Sequence, residues 1–214
     1  FRFPSAPDMD NDGVRDLVVG LSPQELLVFP GNRDFTFDGR YPTFDFGDYG
    51  AGEIATGDVN GDAHLDVVVT SNGQFPGGGV VALSLGNGDG TLQPVIERRY
   101  ANPFSVLVLD IDGDAYDDVA FVSTTGEAGG VLRGNATGIG TVAWYGLGGL
   151  GTHGVDLAAA DLNQDGFLDL VTANEGNQTV GILMNSGGSF ALPRYIAMGS
   201  LVPSAVSAGS WPSG

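Results

Sequence analysis

Residues 58–70 read DVNGDAHLDVVVT, and the same pattern of acids and apolar residues returns three more times. It appears as DMDNDGVRDLVVG from Asp8, DIDGDAYDDVAFV from Asp110 and DLNQDGFLDLVTA from Asp161, at offsets of 50, 52 and 51 residues. A fixed period of this length is the signature of a repeat architecture, and it organises the whole chain. Around each acidic loop the sequence supplies four short apolar stretches. The first precedes the loop, at 3–6, 53–56, 105–109 and 155–160; the second is a β-branched run after it, at 17–19, 67–70, 119–122 and 170–172. A third stretch lies at 26–29, 80–85, 130–132 and 180–184, then a Gly/Asn turn, then a fourth at 35–37, 92–96, 139–144 and 190–197. Four strands per unit with turn chemistry between them predict an all-β fold. No window carries a convincing 3.6-residue apolar period, so almost no helix is expected.

Tandem four-stranded units are the sequence form of a β-propeller with one unit per blade. A parallel β-helix is the competing reading, but its rungs are usually shorter. The expected units are 1–50, 51–102, 103–153 and 154–203 within a single domain, 1–214. Residues 204–209 align with the stretch before each acidic loop, and Ser210 stands where a ligand would. The chain therefore reads as four units plus the first strand of a fifth, expected to belong to a larger ring, with a complete four-bladed propeller carrying a spare strand as the alternative.

Each loop has the form D-x-[DN]-x-D-x-x-x-D. Its oxygen-bearing side chains are Asp8, Asp10, Asp12 and Asp16; Asp58, Asn60, Asp62 and Asp66; Asp110, Asp112, Asp114 and Asp118; and Asp161, Asn163, Asp165 and Asp169. Alternate residues of a curled loop can face one centre, and a hard cation takes six to eight oxygens. The seventh residue would offer its backbone carbonyl, which lets its side chain vary: Val14, His64, Tyr116 and Phe167. The four sets hold 14 of the 26 acids, which repel strongly when crowded unless a cation lies among them. Up to four calcium ions are expected, and four would bring the formal charge from −18 to −10. Magnesium prefers few protein ligands, and zinc prefers Cys or clustered His.

Three other readings of the loops fit less well. An EF-hand needs a Glu at position 12, where this chain has Val19, Val69, Phe121 and Thr172. A solvated Asp-rich turn does not explain four copies with the last acid always nine along. A catalytic carboxylate pair suits one tuned site better than four similar ones.

Composition narrows the function. With 42% hydrophobic residues the chain can fill a core despite its net charge. No apolar run approaches the ~20 residues of a membrane span, so membrane insertion is not expected. There is no Cys, and all eight basic residues are Arg, which removes thiolate, disulfide and Schiff-base chemistry. Eight Arg against 26 acids repel a phosphate backbone, so nucleic acid is not an expected partner. The acids are 21 Asp against 5 Glu, which with 36 Gly suits turns and hard-cation ligands. No visible leader precedes Phe1, which says nothing about secretion.

Other features carry less. His153 and Asp156 lie near Trp144 and Tyr145, but no G-x-S-x-G elbow accompanies them. Arg98-Arg99 is the one basic pair and reads as a strand end. Trp144, Tyr145, Tyr116 and Phe121 read as inter-blade packing, with a sugar-binding surface as the alternative. Residues 146–151 (GLGGLG) lack the following helix of a phosphate loop and read as a connection. Asn135 and Asn177 open N-glycosylation sequons.

These loops resemble the FG-GAP/VCBS repeats, the calcium-binding blades of the integrin α-subunit propeller and of many bacterial surface proteins. Gly57-Asp58-Val59-Asn60-Gly61-Asp62 through Val68, the turn Leu85-Gly86-Asn87-Gly88-Asp89-Gly90-Thr91-Leu92 and residues 161–171 carry the likeness. The resemblance implies a ring of about seven blades, calcium in the loop between a blade's first two strands, and roles in adhesion, glycan binding or scaffolding. It implies that the ions brace the blades and that the protein is not an enzyme. Its partner would be a protein or glycan at the cell surface, and its location extracellular, cell-surface or periplasmic. Millimolar calcium outside the cytosol suits modular sites with a Kd of about 10⁻⁴–10⁻³ M. A lectin-like propeller or an accessory domain of a secreted enzyme are the alternatives. The family favours Gly after the third ligand, as at Gly13 and Gly166, whereas Ala63 and Ala115 stand there in units two and three. If φ is positive there, Ala costs about 1 kcal/mol or more.

Overall fold

The computed structural model describes residues 6–21, 25–39, 44–45, 52–71, 78–125, 129–146 and 153–209. All regular elements among them are strands, arranged as successive antiparallel sheets of a β-propeller. Blade one shows β1 (Leu17–Leu21), β2 (Glu25–Phe29) and β3 (Phe44–Asp45). Its predicted first strand falls largely on residues 3–5, outside the described residues, as do Ser210 and most of 146–151. Blade two is the meander β4 (Ile54–Gly57), β5 (Asp66–Ser71), β6 (Gly79–Ser84) and β7 (Ile96–Tyr100). Blade three repeats it with β8 (Pro103–Leu109), β9 (Asp118–Ser123), β10 (Gly129–Asn135) and β11 (Gly138–Tyr145). Blade four has β12 (Gly154–Ala160), β13 (Asp169–Asn174), β14 (Thr179–Leu183) and β17 (Arg194–Ala197), with a small hairpin of β15 (Asn185–Ser186) and β16 (Ser189–Phe190).

The second strand of each blade is apolar without alternation because both faces of the sheet are covered. In β5, Val67 and Val69 join Val18, Leu26 and Val28 of blade one, while Val68 joins Val106, Val119 and Phe121 of blade three. Blade three meets blade four through Ala120, Val122, Leu157 and Leu170. Every residue of β5, β9 and β13 is buried, Asp66, Asp118 and Asp169 included. The core is therefore a series of inter-blade layers.

The aromatic residues serve these layers. Phe121 is fully buried and stacks on Tyr100 at 5.0 Å, and Trp144 meets both rings edge-on. Tyr145 packs edge-on against Phe190. Trp144 remains 51% exposed.

In blades one, two and four the fourth strand starts later than the sequence suggests, whereas in blade three β11 covers the expected 139–144. Residues 35–37 and 92–96 contribute the bridges Gly31↔Phe37 and Gly86↔Leu92, and the outer strands proper are β3 and β7. The Gly/Asn turn thus belongs to a small cap, which in blade four is the β15–β16 hairpin. In these three blades the chain reaches the outer edge only after it, while in blade three the turn leads directly from β10 into β11.

The inner strands are tied by one recurring contact. Val106 N donates to Glu53 Oε2 at 2.8 Å, and Val206 N donates to Asp156 Oδ2 at 2.7 Å. Between these, Ser105 Oγ donates to Asp156 Oδ1 at 3.4 Å. Residues 201–209 form no strand, yet Val206 takes the place relative to blade four that Val106 takes relative to blade two.

Candidate metal centres

In blades two to four the acidic loop joins the first strand to the second, and in blade one it leads into β1. Its curl comes from side chains capping the backbone two residues on, the usual habit of Asp and Asn in turns. The third residue accepts the N–H of the fifth in loops one, two and four (Asp10, Asn60, Asn163). The fifth accepts the N–H of the seventh in all four: Val14, His64, Tyr116 and Phe167 N to Asp12, Asp62, Asp114 and Asp165 Oδ1. The first Asp reaches across the curl to the N–H of the sixth residue: Asp8, Asp58, Asp110 and Asp161 accept from Gly13, Ala63, Ala115 and Gly166.

That winding puts two residues per loop at positive φ. The sixth are Gly13 (83°), Ala63 (66°), Ala115 (71°) and Gly166 (92°), so the strain expected at the two alanines is present. The fourth are Asn11 (60°), Gly61 (73°), Gly113 (80°) and Gln164 (64°), a requirement the sequence reading missed. Each loop carries one glycine across the two positions, in the sixth place for loops one and four and in the fourth for loops two and three.

The ninth Asp has a second task. Asp66 Oδ2 accepts Val59 N and its Oδ1 accepts Gly86 N, both at 2.8 Å. Asp16 takes Met9 and Gly31 N, Asp118 takes Ile111 and Gly134 N, and Asp169 takes Leu162 and Asn185 N. The carboxylate thus pins the start of the loop to the cap of the same blade. At Gly86 a Cβ would lie 2.2 Å from Leu65 O, so the cap seats close only without a side chain there. Blade four uses Asn185 instead, whose Nδ2 donates to Leu168 O and to Ile111 O of blade three.

The loops also seat on one another. The carbonyl of the second residue is held by the next blade's cap: Met9 O by Gly90 N, Val59 O by Asn135 N and Ile111 O by Asn185 Nδ2. The corresponding side chains of Met9, Val59 and Ile111 are buried, while Leu162 is 43% exposed. The seventh side chains lie against neighbouring loop residues. A Cβ on Gly61 would meet the Tyr116 ring at 2.7 Å, and His64 lies against Gly88 with Nδ1 3.5 Å from Asp62 Oδ1.

Crowding of acids differs between loops. Carboxylate oxygens of Asp8, Asp10 and Asp16, and of Asp110, Asp112 and Asp114, lie within 4.8 Å of one another. Loops two and four have Asn in third place, and its Nδ2 donates to the fifth Asp at 2.9 Å (Asn60 to Asp62, Asn163 to Asp165). Burial pushes Asp66 up to about 6 against its backbone donors. Asp118 is raised by burial too, with Gly134 N and Arg133 pulling the other way. Asp10 is raised by burial and by crowding from Asp16, Asp12 and Asp8, partly offset by Asp12 N. In loop three, Asp112 Oδ1 is buried without a hydrogen-bond partner among the described residues. Raised carboxylates and a buried oxygen lacking a donor fit a cation, and the all-oxygen donor set fits a hard one.

An FG-GAP-like repeat model matches residues 8–69, 58–121 and 110–172, each match running from one acidic loop through the strand after the next. No curated protein matches the chain. Among solved structures, the crystal structure of BBS1N in complex with ARL6DN, soaked with lead, is similar with a TM-score of 0.53 and 19% identity. The match covers 94% of this chain and 54% of that one, so the chain spans about half its length. At that identity the likeness concerns the fold.

Proposed function

Because the chain belongs to the FG-GAP-like repeat family, we propose that it is a calcium-braced propeller module that binds a partner protein outside the cytosol. The observation that carries this reading is the repeated loop. Four times the same curl turns its acidic side chains inward, and twice it crowds three carboxylates within 4.8 Å. Calcium would be held by the first, third, fifth and ninth side chains with the carbonyls of Val14, His64, Tyr116 and Phe167. The ion supplies charge neutralisation and cross-links a loop whose carboxylates otherwise repel.

The chain's own residues explain why this would be structural. Each loop is clamped to its cap by the ninth Asp, and loops one to three are clamped to the next blade through the second carbonyl. Neutralising the loop therefore strengthens a blade and the seam beside it. We assign the chain no reaction, because the acids are used in four similar copies. Sites of modest affinity fill where calcium is near millimolar, which favours an extracellular, cell-surface or periplasmic setting. A glycan is the second candidate partner, favoured by the half-exposed indole of Trp144 beside Tyr100.

Thermal melting in calcium, magnesium and EGTA tests the proposal. One site at tenfold excess over Kd adds about 1.4 kcal/mol. Three such sites add about 4 kcal/mol, a rise of about 10 °C for a chain of this size. A melting temperature identical in calcium and EGTA would remove the bracing role.

A further inference from the structure

Loop three contains a cation of its own. Arg133 Nη1 lies 2.5 Å from Asp118 Oδ2 and 3.3 Å from Asp112 Oδ2. Its Nη2 donates to Gly188 O, in the cap of blade four. The guanidinium thus sits between the third and ninth acids of its loop and is fixed from behind by the neighbouring blade. It is largely covered, with 26% of the side chain exposed, and Asp118 is fully buried. The packing around it is close: a Cβ on Gly188 would meet Asp112 Cβ at 2.4 Å and Arg133 Nη2 at 3.0 Å.

No other unit carries such a group in that place. The residue just before the cap is Pro30 in unit one, Leu85 in unit two and Met184 in unit four. None of these can neutralise a carboxylate. Loop one has the same four aspartates as loop three; its own arginine, Arg15 in eighth place where loop three has Asp117, is turned to Ala6 O, so the guanidinium between the third and ninth acids belongs to loop three.

We propose that Arg133 is an internal counter-ion that competes with a divalent cation for Asp112 and Asp118, making loop three the weak metal site of the four. It rests on the reading that the other loops bind calcium. The geometry supports competition at two atoms. The Oδ2 of Asp118 and of Asp112 both face the guanidinium, and a cation drawing on them must displace it or share them. A charge held about 4 Å away in a partly buried site opposes an incoming cation strongly, and the loss in affinity is expected to be about tenfold or more. Asp112 Oδ1, buried and without a donor, is the atom that remains to a weakly held ion. Displacing Arg133 would also break its bond to Gly188 O, so filling loop three should loosen the cap of blade four.

Calcium calorimetry on the wild-type chain, Arg133→Met and Arg133→Lys tests this. The expected result is one wild-type site at least about tenfold weaker than the rest, strengthened by that factor in Arg133→Met and still weak in Arg133→Lys. Because Arg133→Met leaves two acids uncompensated, it should melt below wild type in EGTA and recover in calcium. Should it not fold at all, anomalous scattering from calcium in wild-type crystals near half-saturation decides. Ions at loops one, two and four with little at loop three support the proposal. Equal occupancy of all four loops, or an Arg133→Met titration identical to wild type, overturns it. Absence of calcium at every loop would instead overturn the proposed function.

Discussion

Loops one and three share their four aspartates, and in both three carboxylates gather within 4.8 Å. They differ in what the cap brings over them: Pro30 in one, Arg133 in the other. The acidic motif sets the curl and the direction of the side chains. The residue across from it, on another strand, decides how much negative charge remains for an ion. Two loops with the same four aspartates are therefore different electrostatic environments.

The sharpest way to break that contrast is to remove the ninth acid from each. Asp16→Ala and Asp118→Ala both leave two N–H groups without their carboxylate, at about 1–3 kcal/mol for each buried group left unsatisfied. Asp118→Ala also strips Arg133 of its nearest partner, and breaking a buried pair costs about 3–5 kcal/mol. Urea unfolding in EGTA should place Asp118→Ala below Asp16→Ala by a clear margin. Equal losses would mean that the guanidinium is not engaged.

Removing the third acid separates metal binding from folding. Asp10→Asn should cut the calcium-induced rise in melting temperature by the share of one site, about 3–6 °C at tenfold excess over Kd. Asp112→Asn should leave that rise nearly intact, because Arg133 already faces its oxygen. Similar losses from both variants would count against a weak third loop.

Loop two sharpens the contrast through pH. Asp66 is fully buried with no guanidinium of the described residues beside it, and its pKa is pushed up to about 6. A carboxyl raised above its unfolded value near 3.9 stabilises the fold when protonated. That contribution is fully present below about pH 4 and lost as pH rises through about 6. Urea midpoints in EGTA should include a fall over this window, which Asp66→Asn removes and saturating calcium suppresses. A wild-type profile superimposable on that of Asp66→Asn would refute the assignment.

The smallest effect concerns backbone strain. Ala63 at φ 66° sits where loop one has Gly13 at 83°. Ala63→Gly should raise stability by up to about 1 kcal/mol, and Gly13→Ala should lower it by a similar amount. Equilibrium unfolding with calcium present resolves both, and opposite signs are the expected pattern.

Much of this was legible in the sequence because each feature is local or periodic. The period of 50–52 residues placed the blades, and the unbroken apolar runs 67–70 and 119–122 announced strands covered on both faces. The acids at positions one, three, five and nine marked the loops. What was not legible depends on contacts between distant residues. The seat of Arg133 against Asp112 and Asp118 needs the third strand to be laid over the loop. The late start of β7 reflects a cap that turns 86–92 back on itself before the edge strand forms. The positive φ of the fourth loop residue is masked by Asn11 and Gln164, which tolerate it without advertising it. The second role of the ninth Asp, as acceptor for Gly86 N and its counterparts, has no signature within the loop.

The most direct test of the account is a count of bound calcium by equilibrium dialysis at increasing free calcium, with magnesium as competitor. The account predicts three ions taken up together at sub-millimolar to millimolar calcium and a fourth only at about tenfold higher concentration. No uptake across that range would contradict the central claim and leave the crowding of 14 acidic residues in four loops without an explanation.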